Sequence, residues 1–562
     1  MKVIIVGGVA GGATAAARIR RLDEQAEIIV FERSGYISYA NCGLPYYIGG
    51  VIEDPEELTL QTPESFFRRF RVTMKVRHEV TAIHPDRKTV SVKDLESGAE
   101  FEESYDKLLL SPGAKPTMPR LPGVDLEKLF TLRTVEDTFR IKAYIEAHGP
   151  KSAILVGGGF IGVELAENLR RLGLEVTIVQ RPKQLMNPFD ADMASFIHGQ
   201  MRKHGVKLAL GYSVEGFEER NGGVDVLLKD AKPLHADMVV LAIGVSPESE
   251  LAKSAGLALG VKGSILVNDR METSQPDIYA VGDAVQVKHY VTGQDARISL
   301  AGPANKQGRI AADNICGGDS RYMGSQGSSV IQIFDMTAAA TGLNETNARK
   351  AGLDVDTVIL SPMSHAGYYP GGRVMTMKVV FEKESYRLLG AQIVGYDGVD
   401  KRIDVLATAI HAGLKATALK DLDLAYAPPY SSAKDPVNMA GFMIDNISRG
   451  LKQWHLADAE HLPRDGSVTL LDTRTAGEYR RGHIEGFRNI PVDELRQRLH
   501  EIEPGKPVYV ICQSGLRSYI AVRILEGSGF DAYNFAGGFR FYDAVTQDRV
   551  LVEKAYDCGM DR

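Results

Sequence analysis

The sequence is poor in cysteine and has no excess of positive charge. Its 562 residues include four cysteines, Cys42, Cys316, Cys512 and Cys558, whose scatter fits neither a disulfide framework nor the spacing of metal ligands. We therefore expect reduced thiols, no metal site and a cytoplasmic location. The net charge of −6 gives no reason to expect nucleic-acid binding.

Long hydrophobic runs are also missing. The apolar start of the chain leads directly into a glycine-rich turn, and it lacks the long apolar core and the cleavage site of a signal peptide. Since no stretch approaches the length of a membrane span, we expect no membrane association. The length is sufficient for three or four domains, and a composition of 44% hydrophobic and 25% charged residues is typical of globular proteins.

A nucleotide-binding pattern opens the chain, with a strand, a glycine turn, an alanine-rich helix and a second strand. Gly7 and Gly12 occupy the outer positions of the G-x-G-x-x-G fingerprint, and Val9 replaces the middle glycine. Such a loop lets the backbone approach a pyrophosphate, and the next helix directs its amides at the negative charge. Glu32, which ends the second strand, is placed to bind ribose hydroxyls. Asp283, after a later strand, is placed either to accept from a ribityl hydroxyl or to cap a helix.

A second nucleotide-binding pattern has the complete fingerprint. Gly157, Gly159 and Gly162 follow one apolar strand and precede a helix. At the end of the next strand, Gln180 replaces the expected carboxylate and Arg181 stands beside it. A carboxylate would favour NAD, whereas a neutral residue next to an arginine can accept the 2′-phosphate of NADP. Both nicotinamide cofactors therefore remain open.

Cys42 lies in the segment Tyr-Ala-Asn-Cys-Gly-Leu-Pro-Tyr-Tyr at residues 39–47. Together with the two nucleotide patterns, this segment resembles the pyridine nucleotide–disulfide oxidoreductases. Many members have a second cysteine five positions later, where this chain has Tyr47. The segment is similar to coenzyme A-disulfide reductases, in which the single cysteine forms a mixed disulfide with coenzyme A. Peroxidase-like relatives carry a histidine in the first glycine loop, where Ala10 stands here. The resemblance covers about the first four-fifths of the chain.

The resemblance implies FAD in the first pattern, NADH or NADPH in the second, and coenzyme A as a bound substrate or cofactor. The residues expected to bind the two dinucleotides are Gly7, Ala10, Gly11, Gly12, Glu32, Arg33, Ser111, Gly113, Asp283, Ala301, Gly157, Gly159, Phe160, Ile161, Gly162, Glu164, Gln180 and Gly244. Those expected to contact coenzyme A are Thr14, Arg18, Arg21, Ser38, Asn41, Arg71, Asn305 and Lys434. Guanidinium groups suit its phosphates because they form charge-assisted, forked hydrogen bonds.

The family also implies catalytic tyrosines from the partner subunit of a homodimer. Tyr368 and Tyr426 match these positions, where a phenol can donate a proton to a leaving thiolate. Tyr369 and Tyr430 remain alternatives for the same roles.

The last part of the chain is similar to a single rhodanese domain. A strand delivers Cys512 to a loop that leads into a helix, and the loop amides and the helix dipole favour an anion such as a persulfide. We expect Arg517 to strengthen this positive field. The related phosphatase loop has one more residue between the cysteine and the arginine, so the spacing favours sulfur chemistry. Cys316 and Cys558 have no comparable setting.

The expected fold class is α/β, with two Rossmann-like domains, an α+β dimerisation domain and a C-terminal α/β rhodanese domain. The expected bounds are 1–115 and 246–324 for the FAD-binding domain, 116–245 for the NAD(P)H-binding domain, 325–445 for the dimerisation domain, 446–463 for a linker and 464–562 for the rhodanese domain.

These features predict a reductase that passes electrons from NAD(P)H through FAD and Cys42 to coenzyme A persulfide, polysulfide or coenzyme A disulfide. Cys512 would relay sulfane sulfur, and fusion of the domains raises its effective concentration. Two alternatives remain open. One is an NADH oxidase or peroxidase that uses a Cys42 sulfenic acid, and the other is a thiol-based redox or sulfide sensor.

Overall fold

The computed structural model describes residues 1–553, and Cys558 lies outside the described residues. The chain forms two compact units. The first consists of residues 1–183 and 205–327, and the second of residues 184–204 together with 328 onward. Residues 184–204, which the sequence places in the NAD(P)H-binding domain, therefore belong to the second unit.

The first unit contains two parallel five-stranded sheets. The first sheet has the strand order Ile278–Ala280, Lys107–Leu110, Lys2–Val6, Glu27–Glu32 and Thr73–Val76. The second has the order Lys207–Leu210, Glu175–Gln180, Ser152–Val156, Met238–Leu241 and Leu129–Thr131. Strands such as KVIIV and SAILV are almost continuously apolar because a parallel sheet is covered on both faces. Both sheets confirm the predicted Rossmann-like architecture.

Smaller sheets complete the first unit. They are formed by His78–His84, Thr89–Asp94 and Glu100–Ser104; by Val214–Arg220, Gly223–Leu228 and Leu234–Ala236; by Ala114–Pro116 and Val245–Pro247; and by Val287–Lys288 and Asp295–Ala296.

The second unit begins with an antiparallel five-stranded sheet, as predicted for a dimerisation domain. Its order is Ser329–Ile333, Met336–Gly342, Leu388–Gly395, Thr376–Glu382 and Val355–Leu360. Every residue of the strand Leu388–Gly395 is buried, so this strand lies at the centre of the layer.

A parallel sheet of the rhodanese type completes the second unit. Its order is Gln453–Trp454, Ala532–Phe535, Val508–Ile511, Thr469–Asp472 and Arg488–Asn489. The first of these strands lies within the predicted linker 446–463 and pairs with Ala532–Phe535. Trp454 is buried there, with its ring centroid 4.3 Å from that of Phe535. This sheet therefore begins earlier than residue 464, because a buried aromatic side chain anchors the preceding segment.

The α-helices of residues 1–553 are numbered in chain order. They are α1 Ala10–Leu22, α2 Leu44–Ile48, α3 Pro63–Phe70, α4 Val135–His148, α5 Phe160–Arg171, α6 Ala191–Lys203, α7 Glu250–Ser254, α8 Ala301–Ile315, α9 Glu345–Lys350, α10 Val399–His411, α11 Pro436–Ser448, α12 Leu456–Ala459, α13 Ala476–Arg481, α14 Val492–Leu495, α15 Leu516–Gly527 and α16 Gly538–Glu553. Short 3-10 helices occur at Asn41–Gly43, Pro55–Leu58, Pro85–Arg87, Val261–Gly263, Gly282–Ala284, Ala416–Asp421 and Leu499–Glu501.

Two further features bear on the possible classes of function. Within the described residues, no helix combines the length and the apolar character needed to cross a membrane. The same residues contain no group of three or more His, Cys, Asp or Glu side chains arranged to hold a metal ion.

Candidate active site

The first glycine loop is packed too tightly for a side chain at Gly7 or at Gly12. A Cβ atom at Gly12 would lie 1.9 Å from the carbonyl oxygen of Gly7, and one at Gly7 would lie 2.1 Å from that of Ser111. Gly7 also has a φ of +98°, in the region that favours glycine. The loop leads into α1, which starts at Ala10 and, among the described residues, has no side-chain cap and no acid in its first turn. Its first amides therefore remain available to an anion.

Glu32 holds this loop from the end of the second strand. Its buried carboxylate accepts from the Gly8 amide at 2.8 Å and from the Ser34 amide at 2.9 Å. Arg33, next to it, is exposed and lies 3.1 Å from the Glu248 carboxylate. The geometry fits a dinucleotide at this loop, and the predicted contact of Glu32 with a ribose stays a prediction.

The second glycine loop repeats the same construction. A Cβ atom at Gly162 would lie 2.0 Å from the Gly157 carbonyl oxygen, and one at Gly157 would lie 2.3 Å from that of Ala242. The Gln180 side-chain oxygen accepts from the Gly158 amide at 3.0 Å, as Glu32 does from Gly8. Gln180 thus supports the loop without adding a negative charge.

Helix α5 begins at this second loop. Its first residues are Phe160 and Ile161, its N-cap is Gly159, and within residues 1–553 it has no side-chain cap. Gly244 follows the strand Met238–Leu241 and has a φ of +107°. Its carbonyl accepts a hydrogen bond from the Thr117 amide at 2.9 Å. A second dinucleotide therefore fits here, with a free helix N-terminus for its phosphates.

Arg133 connects the residues around the first loop, and no sequence motif points to it. Its guanidinium lies 3.1 Å from the Asp283 carboxylate. The Asn41 amide, oriented by its hydrogen bonds, donates to the Arg133 carbonyl at 3.1 Å and accepts from the guanidinium at 3.2 Å. Gly113 has a φ of +72°, and a Cβ atom there would lie 3.3 Å from the same guanidinium. Arg133 thus joins the predicted FAD contact Asp283 to the cysteine segment.

Cys42 lies in the short 3-10 helix Asn41–Gly43 and is exposed. Its surroundings still desolvate the sulfur, and this raises the pKa of the thiol above its usual value. The Glu164 and Asp283 carboxylates act in the same direction, whereas Arg133 opposes them. Tyr47, at the position of the second cysteine of disulfide-forming relatives, is buried with its ring edge-on to Phe139. The protein's own charges therefore do not favour the Cys42 thiolate.

Glu164 has a strongly perturbed carboxyl group close to Cys42. Burial raises its pKa to about 7, the Glu167 carboxylate adds to the rise, and a hydrogen bond with Tyr46 opposes it. Tyr46 is affected in turn, because burial and the Glu164 charge raise its pKa to about 12. A carboxyl group with a pKa of about 7 therefore acts electrostatically on the Cys42 thiol.

Several residues predicted to contact coenzyme A come together in the first unit. The Thr14 hydroxyl on α1 donates to the Asn305 side chain on α8 at 2.5 Å. Asn305 in turn donates to the carbonyl of Ala301, the first residue of α8. Arg18, one turn further along α1, lies 2.7 Å from the Asp313 carboxylate, so its charge is already paired.

The other predicted coenzyme A contacts are more dispersed. Ser38, with a φ of 45°, donates its amide to the Gly8 carbonyl at 2.9 Å and so links the cysteine segment to the glycine loop. Arg21 is exposed on α1. Arg71 ends α3 in a left-handed conformation, with its guanidinium 5.6 Å from the Phe67 ring centroid. Lys434 is exposed in the second unit.

The structure brings the two predicted catalytic tyrosines together in the second unit. The Tyr368 and Tyr426 hydroxyls lie 2.7 Å apart, and this hydrogen bond raises the pKa of Tyr426. Both side chains are strongly exposed, as are Tyr369 and Tyr430. The direct bond distinguishes the first pair from the two alternatives.

Cys512 follows the strand Val508–Ile511 and is buried. Its Sγ accepts from the Gly515 amide at 3.1 Å and from the Ser518 hydroxyl at 3.3 Å. Gly538, at the start of α16, packs on the same loop, where a Cβ atom would lie 2.6 Å from the Gln513 carbonyl oxygen. Two donors thus point at the sulfur in a loop that precedes a helix, a setting that suits a persulfide anion.

Arg517, expected to add positive charge at Cys512, also forms an ion pair that the sequence does not indicate. Both of its terminal nitrogens donate to the Glu478 carboxylate, at 2.7 and 2.8 Å. This pairing lowers the pKa of Glu478 to about 2. The arginine therefore acts on Cys512 while it is also paired with a carboxylate 39 positions earlier.

Three family models, two of them for parts of the same family, match consecutive parts of the chain. Residues 1–308 match the pyridine nucleotide-disulphide oxidoreductases, residues 328–436 match the dimerisation domain of that family, and residues 455–544 match the rhodanese-like domain.

Individual proteins match over most of the chain. A crystal structure of reduced Bacillus anthracis CoADR-RHD is 49% identical, covers 98% of both chains and has a TM-score of 0.95. An NAD-dependent persulfide reductase from A. fulgidus is 38% identical, covers 96% of this chain and 100% of its own, and has a TM-score of 0.91. The coenzyme A disulfide reductase of Staphylococcus aureus is 38% identical over 78% of this chain and 99% of its own length.

Proposed function

The chain belongs to the pyridine nucleotide-disulphide oxidoreductase family, in the group that carries a C-terminal rhodanese-like domain, and from this we propose that it reduces coenzyme A persulfide or coenzyme A disulfide with NAD(P)H. The observation that carries the proposal is the presence of two thiols in different settings. Cys42 is exposed beside two dinucleotide loops. Cys512 is buried in a loop whose hydrogen-bond donors point at its sulfur.

Residues of the first unit hold the cofactors in this proposal. The first glycine loop with Glu32 fits FAD, and the second loop with Gln180 fits a nicotinamide nucleotide. When bound, these groups supply two electrons to the sulfur of Cys42. Arg133 positions Asn41 and Asp283 around that sulfur through the contacts described above.

Cys42 is proposed to attack the coenzyme A sulfur of a persulfide. A bond forms between the two sulfurs, the sulfur–sulfur bond of the persulfide breaks, and hydrosulfide leaves with the electron pair. Two electrons and a proton then release coenzyme A and restore the Cys42 thiolate. Coenzyme A disulfide would react in the same way, with a coenzyme A thiolate as the leaving group. The lack of a local second cysteine supports an external sulfur partner, because Tyr47 fills that position.

Cys512 is proposed to carry the sulfur that the reductase consumes. A Cys512 persulfide would give its outer sulfur to the coenzyme A thiolate, the bond to Cys512 Sγ would break, and the electron pair would remain on that atom. No net oxidation occurs. The Gly515 amide and the Ser518 hydroxyl stabilise the resulting thiolate.

We also infer a homodimer that completes the reductase site. Residues 328–436 match a dimerisation domain, and the exposed, hydrogen-bonded Tyr368 and Tyr426 are suited to donate a proton to a thiolate of the partner subunit.

Turnover under anaerobic conditions tests the proposal. The wild type and Cys512→Ser should consume NAD(P)H with preformed coenzyme A persulfide, whereas only the wild type should do so with thiosulfate plus coenzyme A. Turnover with peroxide but with neither sulfur substrate would contradict the proposal and favour the sulfenic-acid oxidase. Absence of NAD(P)H consumption with every acceptor would favour the sensor.

A further inference from the structure

A cavity of about 380 Å³ lies within the second unit, apart from every residue assigned above. It is bounded by α6, by the antiparallel sheet and by one face of α16. Its lining includes Phe196, Arg202, Lys203, Tyr396, Arg540 and Asp548. Its volume falls in the range of small-molecule sites.

The charges of this cavity favour an anionic ligand. Arg202, Lys203 and Arg540 line it together with one carboxylate, Asp548. Both oxygens of that carboxylate are engaged, one by Arg202 and the other by His198 Nδ1 at 2.8 Å. His198 Nε2 accepts from the Leu185 amide at 2.9 Å, so Nδ1 carries the proton and the ring acts as a neutral donor.

Two exposed cations and one buried donor face this cavity. The Lys203 charge also acts on the Asp335 carboxylate, whereas Arg540 has no ion-pair partner among residues 1–553. The second terminal nitrogen of Arg202 is buried and has no hydrogen-bond partner in the described chain. A buried N–H group without a partner is costly, and a phosphate oxygen is a suitable acceptor for it.

The cavity is connected to the Cys512 loop through α16. The amide of Phe539 donates to the Cys512 carbonyl at 2.7 Å, and that of Arg540 donates to the Gln513 carbonyl at 3.1 Å. From Arg540 to Asp548 the helix rises about 12 Å, at 1.5 Å per residue. The cavity therefore extends about 12 Å along α16, from Arg540 beside the sulfur-carrying loop to the Arg202–Asp548 pair at its far end.

We propose that this cavity binds the phosphate groups of coenzyme A while its thiol exchanges sulfur with Cys512. The inference rests on the function proposed above and adds a second coenzyme A site, distinct from the one around Thr14 and Asn305. The Phe196 ring offers apolar surface for the adenine, as does the face of the Tyr396 ring that the Arg373 guanidinium leaves uncovered. Coenzyme A carries several phosphates at one end, which the cations of the cavity can bind, and a thiol at the other, which the reaction at Cys512 requires.

Sulfur transfer in the full chain tests the site. The Cys42→Ser background removes the reductase reaction, and transfer from thiosulfate is measured to coenzyme A and to 2-mercaptoethanol, which lacks phosphate. Arg540→Gln and Lys203→Gln should each raise the KM for coenzyme A about tenfold, the loss expected for one charge-assisted hydrogen bond, and should leave 2-mercaptoethanol unaffected. Arg549→Gln is the matched control, because it removes an exposed arginine of α16 that pairs with Glu460.

The outcomes separate the two proposals. Equal effects of Arg540→Gln and Arg549→Gln, or equal loss with both thiol acceptors, would overturn the second site. The proposed function would survive that result if Cys42-dependent NAD(P)H turnover with coenzyme A persulfide persists in the wild type. If that turnover is absent, the proposed function fails whatever the effect on sulfur transfer.

Discussion

The guanidinium of Arg133 lies 3.1 Å from the carboxylate of Asp283, and the same arginine is bonded to Asn41, the neighbour of Cys42. A residue outside every fingerprint thus joins the predicted flavin contact to the reactive segment. It is also the nearby cation that lowers the pKa of the Cys42 thiol against the burial that raises it.

Removal of this cation should make Cys42 less reactive. In Arg133→Gln we expect a higher thiol pKa and up to about tenfold slower alkylation by iodoacetamide at pH 8, since one pKa unit changes the thiolate fraction about tenfold. The measurement uses NAD(P)H-reduced protein in a Cys512→Ser background. Arg140→Gln, on α4, is the control, and an equal decrease in both variants would contradict the assigned role.

Glu164 should act on Cys42 only when it is ionised. Its pKa is raised to about 7, so below that pH the wild-type carboxyl is neutral and Glu164→Gln should alkylate at the wild-type rate. Above pH 7 the wild-type carboxylate raises the pKa of Cys42, and the variant should then react faster.

The measurement for Glu164 is the ratio of variant to wild-type alkylation rates between pH 5.5 and 9. Glu175→Gln, which removes an exposed carboxylate of the next strand, serves as the control. A ratio that stays constant across this range would show that Glu164 does not titrate beside the thiol.

Gln180 should influence the choice between the two nicotinamide nucleotides. Because its side chain supports the Gly158 amide without charge, Gln180→Glu should preserve the loop while repelling a 2′-phosphate. We expect kcat/KM with NADPH to fall about tenfold relative to that with NADH, which corresponds to about 1.4 kcal/mol. Gln25→Glu is the control, because it makes the same chemical change at an exposed position elsewhere in the chain. If the ratio of kcat/KM with NADPH to that with NADH is unchanged in Gln180→Glu, the 2′-phosphate of NADPH does not bind near this residue.

The pair formed by Glu478 and Arg517 should stabilise the Cys512 loop in a pH-dependent way. The pKa of Glu478 falls from 4.5 to about 2 in the folded chain, so its stabilising effect is complete above pH 4.5 and is lost as the pH falls toward 2. Hydrogen exchange over residues 472–486 should therefore be faster in Glu478→Gln than in the wild type at pH 7, and the difference should shrink by pH 4. Glu485→Gln is the control, and a difference that grows toward low pH would contradict this sign.

Local patterns were sufficient to predict the fold class and the family. A tight turn requires glycine wherever a Cβ atom would clash with the backbone, as at Gly157 and Gly162, so the sequence alone identifies this loop. Buried parallel strands must be apolar, and this made both Rossmann-like sheets recognisable. The structure brings Tyr368 and Tyr426 together, and their catalytic role stays a prediction.

Contacts between distant parts of the chain could not be predicted in the same way. Glu478 and Arg517 are 39 positions apart, and Arg133 and Asp283 are 150 apart, and neither pair leaves a periodic signal. The strand Gln453–Trp454 lies where the sequence predicts a linker, because two residues are too few to show an alternating pattern. The grouping of α6 with the second unit likewise depends on tertiary packing.

The most direct test of the account is the amount of sulfide released per NAD(P)H consumed from coenzyme A persulfide, under anaerobic conditions, by the wild type and by Cys42→Ser with equal flavin content. We predict one sulfide per NAD(P)H for the wild type and no turnover above background for Cys42→Ser. Undiminished sulfide release by Cys42→Ser would contradict the central role of this thiol.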